Sequence, residues 1–214
     1  MASSLSETRV RTILFDAYGT LFAGGISDDP TTDLHRSLSK AGVKVEHQLL
    51  ATALKMEMAY YRRNQRAIRT QKELDKLRLE CGQIIVDGIG GAEVCHLTNV
   101  EMSSLLVSTF PSWIFSDVHK AIKRARDAGC SIGVLSNFSF LLPVILEELG
   151  IANLFDFIIH SAGVGFEKPH PRIFHIALEK ADVAPYQAAL IGDTYEEDIV
   201  GASTLGMIGV LLDR

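Results

Sequence analysis

The stretch Asp16-Ala17-Tyr18-Gly19-Thr20 sets a carboxylate directly after an apolar run, Val10 to Phe15, and just ahead of a glycine-containing turn. A short apolar run closed by a turn residue reads as a buried strand. A carboxylate at the carboxyl end of a central parallel strand lies where open α/β sheets place their ligands. From there it can attack an electrophile and form a covalent ester, which divides one difficult step into two easier ones. Two residues on, where a second carboxylate would serve as general acid, the chain has Tyr18. Three further polar signals follow: Ser136-Asn137, Lys168-Pro169, and Gly192-Asp193 with Asp198 five residues later. Ser136 and Asp193 each close an apolar run, and Lys168 precedes a helical stretch. In a parallel sheet such strand ends converge on one edge. A carboxylate nucleophile, a hydroxyl, an ammonium and more carboxylates at that edge would make a phosphoryl-transfer site.

The elements that must position these groups show two textures. From about Phe22 to Ser112 the apolar spacing is helical throughout and suggests no strand. Pro30 opens a first helix and Gly42 closes it. A second helix is expected through Glu46 to Arg69, a third from Lys72 to Asp87, and a fourth after Asn99 with Met102, Leu105, Leu106 and Phe110 on one face. From Phe115 onward strands alternate with helices. The strands are Ser131–Ser136, Phe157–His160, Ala188–Ile191 and Met207–Leu212. Alternating βα units imply a parallel sheet covered on both faces. The expected architecture is therefore an α/β, doubly wound parallel-sheet core from residues 1–21 and 113–214, with a helical insertion at 22–112.

With these motifs in order, the chain resembles the haloacid dehalogenase (HAD) superfamily. The first motif is Asp16 to Thr20, the second Ser136, the third Lys168, and the fourth Gly192-Asp193 with Asp198. Leu135-Ser136-Asn137, Glu167-Lys168-Pro169 and Gly192-Asp193-Thr194 resemble the subgroup around the haloacid dehalogenase-like hydrolase domain-containing proteins. The resemblance implies a Rossmann-like core, with the helical insertion as the first type of cap domain. It implies Asp16 as nucleophile, with Thr20, Ser136, Asn137 and Lys168 binding the transferring group. Lys168 would also neutralise developing charge and keep Asp16 ionised. Asp16, Asp193 and the backbone carbonyl of Tyr18 would hold Mg²⁺, which favours few carboxylates plus waters and phosphate oxygens. Asp198 would ligate indirectly or orient Lys168; a charge complementing a helix dipole in its first turn is the other reading.

Tyr18 leaves the reaction open. Proton donation to a leaving group contributes ~10²–10⁴-fold, and an alkoxide needs it where a halide does not. L-2-haloacid dehalogenases carry the same Asp-Ala-Tyr-Gly-Thr stretch, yet they use no metal and lack the Gly192-Asp193 pair. Their substrate-carboxylate arginine has no clear counterpart here, with Arg36 and Lys40 nearby in sequence. Three readings follow: Mg²⁺-dependent hydrolysis of a small phosphorylated metabolite, metal-free carbon–halogen hydrolysis, and a weakly active or non-catalytic binding protein.

Composition bounds the partners. The chain has 214 residues, 47% of them apolar and 22% charged, with net charge −5, which argues against a nucleic-acid binder; a small, anionic substrate is what the resemblance implies. No apolar run approaches a membrane span. Met1 to Glu7 is polar, unlike a signal peptide. Cys81, Cys95 and Cys130 have no metal spacing and suggest small buried residues in a reducing, cytoplasmic setting. Arg62, Arg66 and Arg69 would share a helix face as a solvated basic stripe. Tyr60 and Tyr61 suggest packing, His160 a hydrogen-bonded structural role, and His170 a surface loop.

Overall fold

The computed structural model describes residues 9–24, 29–65, 67–109 and 112–214. In chain order these form β1 (Thr12–Phe15), β2 (Phe22–Gly24), α1 (Pro30–Lys40), α2 (His47–Gln65), α3 (Gln71–Gly88), α4 (Asn99–Thr109), β3 (Ser112–Ile114) and α5 (Val118–Asp127). Then follow β4 (Ser131–Ser136), α6 (Leu142–Glu148), β5 (Phe157–His160), α7 (Ser161–Val164), α8 (Pro171–Ala181), β6 (Ala188–Gly192), α9 (Gly201–Thr204) and β7 (Ile208–Leu211). The chain divides into two compact units, Met1–Ala23 with Ile114–Arg214, and Gly24–Trp113.

The first unit is built on a five-stranded sheet in the order β5-β4-β1-β6-β7, every neighbouring pair parallel. The core is thus the parallel α/β arrangement that the βα alternation implies. Register follows side-chain alternation. Leu14 turns to one face, where Leu135, Leu190, Ile173 and Phe174 meet it. Phe15 turns to the other, with Ile132, Val134, Ile122 and Leu146. Helices α8 and α5–α6 therefore cover opposite faces, which is why the central strands read as continuous apolar runs. Polar Thr12 is tolerated at the base of β1 because its hydroxyl and that of Ser131, its register partner, lie 2.7 Å apart.

In the second unit α1 begins where Asp29 accepts from the amides of Thr31 and Thr32, with Pro30 at its first turn. The long helix expected through Arg69 ends earlier, at Gln65. Thr70 and Glu73 form a capping box, in which the Thr70 side chain accepts from the Glu73 amide and the Glu73 carboxylate accepts from the Thr70 amide. That device starts a new helix at Gln71. Arg69 consequently lies between helices, its amide donating to Glu73, so it shares no helix face with Arg62. Arg66 and Phe110 lie outside the described residues, as does Met1 to Glu7. Tyr60 does pack, its hydroxyl donating to Glu80 of α3 at 2.9 Å.

One expectation is corrected. The helical texture expected from Phe22 to Ser112 is interrupted by β2, which pairs with β3 in a two-stranded sheet. Three residues are too few for alternation to register as a pattern. Cys81, Cys95 and Cys130 are all buried and free. Among the described residues no helix is long and apolar enough to cross a membrane.

Candidate active site

Asp16 is held one residue past β1, where its amide donates to the Ile191 carbonyl of β6 at 2.9 Å and prolongs the ladder. The chain then folds into a tight turn around a single acceptor. The Ala17 carbonyl takes the amides of Thr20, Leu21 and Phe22, and Gly19 N donates back to Phe22 O at 2.8 Å. Gly19 has φ +86°, and a Cβ there would overlap the Asp193 carboxylate. Only glycine satisfies both conditions. The Asp16 loop and the Asp193 loop therefore approach each other backbone to side chain, with Thr20 Oγ1 donating to Asp193 Oδ1 at 3.3 Å.

Lys168 is 2% exposed and ends between two carboxylates. Its Nζ donates to Asp16 Oδ1 at 2.6 Å and also to Asp198 Oδ1. Asp198, 1% exposed, lies in the π-helical turn Tyr195–Val200, where its second oxygen accepts from Thr194 N at 3.0 Å. A Cβ on Gly192 would overlap the Asp198 carboxylate, so glycine at the end of β6 makes room for it. Asp198 therefore contacts Lys168 and also lies in the first turn of that π-helical segment.

Asn137 fastens the other end of that lysine. Its Oδ1 accepts from Lys168 N at 2.6 Å, while its Nδ2 donates to Lys168 O at 2.8 Å and to Glu197 Oε2 at 2.7 Å. Both amide hydrogens are thus engaged within the protein. Asn137, expected to contact a substrate, clamps the backbone of Lys168. Ser136 is buried at the end of β4, in register with His160. Tyr18 is 51% exposed, and its ring meets Phe22 edge-on, with centroids 5.9 Å apart. His160 caps α7 by accepting from Gly163 N, a structural role. His170, expected in a plain surface loop, accepts from Arg172 N as the cap of α8.

The charges are unbalanced. Burial raises the Asp16 carboxyl, Lys168 opposes the rise, and Asp198 and Asp193 add to it, for a net value of about 6. Lys168 thus favours the ionised form of Asp16 against the burial that opposes it. Burial also works against the Lys168 ammonium, but Asp16 and Asp198 together hold its pKa above the ordinary lysine value. Partial burial, aided by Asp198, raises Asp193 as well. Three carboxylates share one ammonium, and oxygens of Asp16, Asp193 and Asp198 lie within 4.8 Å of one another. An all-oxygen, net-negative donor set of this kind suits a hard divalent cation such as Mg²⁺.

Two contributors escaped the sequence reading. Glu197 sits in an acidic run that resembles a helix first turn, and only the fold brings it to Asn137. Arg214 donates to the carbonyl of Thr20 from 194 positions away, with no spacing to reveal it.

A family model for haloacid dehalogenase-like hydrolases matches residues 10–206. The chain belongs to this family. Haloacid dehalogenase-like hydrolase domain-containing protein 3 of Bos taurus is 39% identical over 99 residues, 46% of this chain and 39% of that protein. A glyceraldehyde 3-phosphate phosphatase of Methanothermobacter thermautotrophicus is 37% identical over 100 residues, 46% of this chain and 44% of that one. The chain thus spans less than half the length of these curated relatives. Among solved structures, a HAD phosphatase from Thermococcus onnurineus superposes with TM-score 0.60 at 19% identity, covering 96% of this chain and 87% of that one. The L-2-haloacid dehalogenase of Xanthobacter autotrophicus gives TM-score 0.60 at 18% identity, covering 96% and 78%. At those identities the likeness is one of fold, shared by phosphatases and dehalogenases alike.

Proposed function

We propose that this HAD-family hydrolase removes phosphate from a small phosphorylated metabolite in the cytoplasm, with Asp16 as covalent nucleophile and Mg²⁺ as cofactor. The observation that carries the reading is the buried pairing of Lys168 with Asp16 at 2.6 Å, beside two further carboxylates of the same loop system. A dehalogenation that uses no metal has no need for that surplus of acid. The phosphatase among the relatives favours the same choice.

Asp16, Asp193 and the Tyr18 carbonyl would hold the ion, which when bound neutralises phosphate charge and orients it. Lys168 engages Oδ1 of Asp16, which leaves Oδ2 to attack phosphorus while the bond to the leaving oxygen breaks. Lys168, Thr20 and Ser136 would receive the phosphoryl oxygens, the ammonium countering their charge. Water then cleaves the aspartyl phosphate, regenerating Asp16 and releasing phosphate. Residues 22–112 would serve as the cap domain and carry the side chains that choose the substrate.

Tyr18 narrows that choice. This half-exposed residue, its ring held edge-on by Phe22, replaces the usual acid, so substrates whose leaving group departs with little protonation are favoured. The same residue supports a second reading, halide displacement. A screen of alkyl and aryl phosphates with and without Mg²⁺, run beside chloride release from 2-chloropropionate, tests both. Mg²⁺-dependent phosphate release, greater for aryl esters, is expected. Halide release in EDTA would replace this reading with the second, and inactivity in both arms would refute each.

A further inference from the structure

We infer that Arg214 is a positioning residue for the Asp16 loop. The segment after β7 stays beside the site, with Leu212 N donating to Gly192 O at 2.8 Å, at the root of the Asp193 loop. Two residues later the Arg214 guanidinium is fixed on three sides. Its Cζ lies 3.9 Å from the centroid of the Phe115 ring, Nη1 donates to Asp117 Oδ1 at 2.7 Å, and Nη2 donates to the Thr20 carbonyl at 2.6 Å. Stacking sets the plane of the fork and Asp117 sets its rotation, so the remaining donor is aimed at one peptide.

That peptide is the exit of the nucleophile loop. Thr20 is buried, its amide donates to Ala17 O, and its hydroxyl donates to Asp193. The next carbonyl, of Leu21, accepts from Phe115 N at 3.2 Å. Phe115 therefore braces the exit through its backbone, while its ring seats the guanidinium that braces Thr20. Arg214 closes a circuit from the Asp193 loop, through the chain end of the sheet, to the residue whose hydroxyl touches Asp193. Lysine, a compact charge without a fork, would keep the Asp117 pair and lose the aimed second donor. The catalytic consequence rests on the phosphatase reading above; the hold on the loop does not.

The experiment compares the full chain with Arg214→Ala and Arg214→Lys. Amide hydrogen exchange across 17–22 is expected to quicken about 10-fold in both variants, because the loop loses its outer tie. Guanidinium chloride at tens of millimolar should restore protection in Arg214→Ala alone, where it can fill the vacated seat. With an aryl phosphate and Mg²⁺, kcat should fall by ~10–10²-fold in both with a smaller change in KM, and recover with guanidinium in Arg214→Ala only. Exchange across 17–22 unchanged in both variants overturns the inference, as does kcat within twofold of wild type. If the wild type cleaves no phosphate ester, the functional proposal fails and exchange with guanidinium rescue decides Arg214 alone.

Discussion

Replacing Lys168 with Met leaves two carboxylates facing each other in a buried space with no cation between them. The geometry sets the scale. Nζ sits 2.6 Å from Asp16 Oδ1 and in hydrogen bond with Asp198 Oδ1, and its side chain is 1% exposed, so solvent screening is slight. At an effective dielectric of about 20 and charge centres about 4 Å apart, each pair contributes roughly 4 kcal/mol of gross attraction. Desolvation of the ammonium offsets much of that, and removing one member of a buried pair typically costs a net 3–5 kcal/mol. Lys168→Met is therefore expected to lose about 4 kcal/mol in urea unfolding with EDTA present. Asp198→Asn removes one of the two orphaned charges, so adding it to Lys168→Met should cost less than the separate losses summed, with a coupling of about 2 kcal/mol. A loss below about 1 kcal/mol for Lys168→Met, or strict additivity, would refute the picture of a buried charge triad.

Two other perturbations probe separate links. Gly19→Ala forces a side chain onto φ +86° and into the Asp193 carboxylate, so the melting temperature should fall by about 5 °C and Mg²⁺ affinity should drop in calorimetry; an unchanged melting point and affinity would contradict the packing described. Asp156 accepts from Ile132 N at 2.7 Å and from Arg126, and although partial burial raises its pKa, those partners bring it below the ordinary 3.8. A depressed carboxyl stabilises above its unfolded pKa and loses that contribution as pH falls through the folded value. Asp156→Asn should thus cost at most about 1 kcal/mol at pH 7, solvent screening of this partly exposed pair taken into account, with the gap to wild type narrowing as pH falls below about 3.8; a gap that stays constant as the pH is lowered further would rule out this source.

Much of the core was legible because its signals are local. Leu14 and Phe15 put apolar side chains on both faces, which a buried parallel strand requires, and Asp16 follows directly. Ser136 and Asp193 close runs of the same kind. The reading faltered where long-range contact decides. Asn137 follows Ser136 in sequence, but nothing local points to the partners it has in the fold, Lys168, 31 residues on, and Glu197, 60 residues on. The apolar periodicity runs on through Arg69 although α2 ends at Gln65, and only the reciprocal Thr70–Glu73 bonds mark a new start. β2 was missed because pairing with β3, not composition, makes it a strand. Nothing local distinguishes Arg214 from any exposed arginine until the fold sets it over Phe115.

The central claim is that Asp16 carries the phosphoryl group. The direct measurement is an acid quench, early in turnover, of the protein with Mg²⁺ and an aryl phosphate bearing radiolabelled phosphorus, followed by peptide mapping. Label on the peptide containing Asp16, lost in Asp16→Asn together with phosphate release, is the outcome the account requires. Phosphate released at an undiminished rate by Asp16→Asn, or turnover with no label on that peptide, would contradict it.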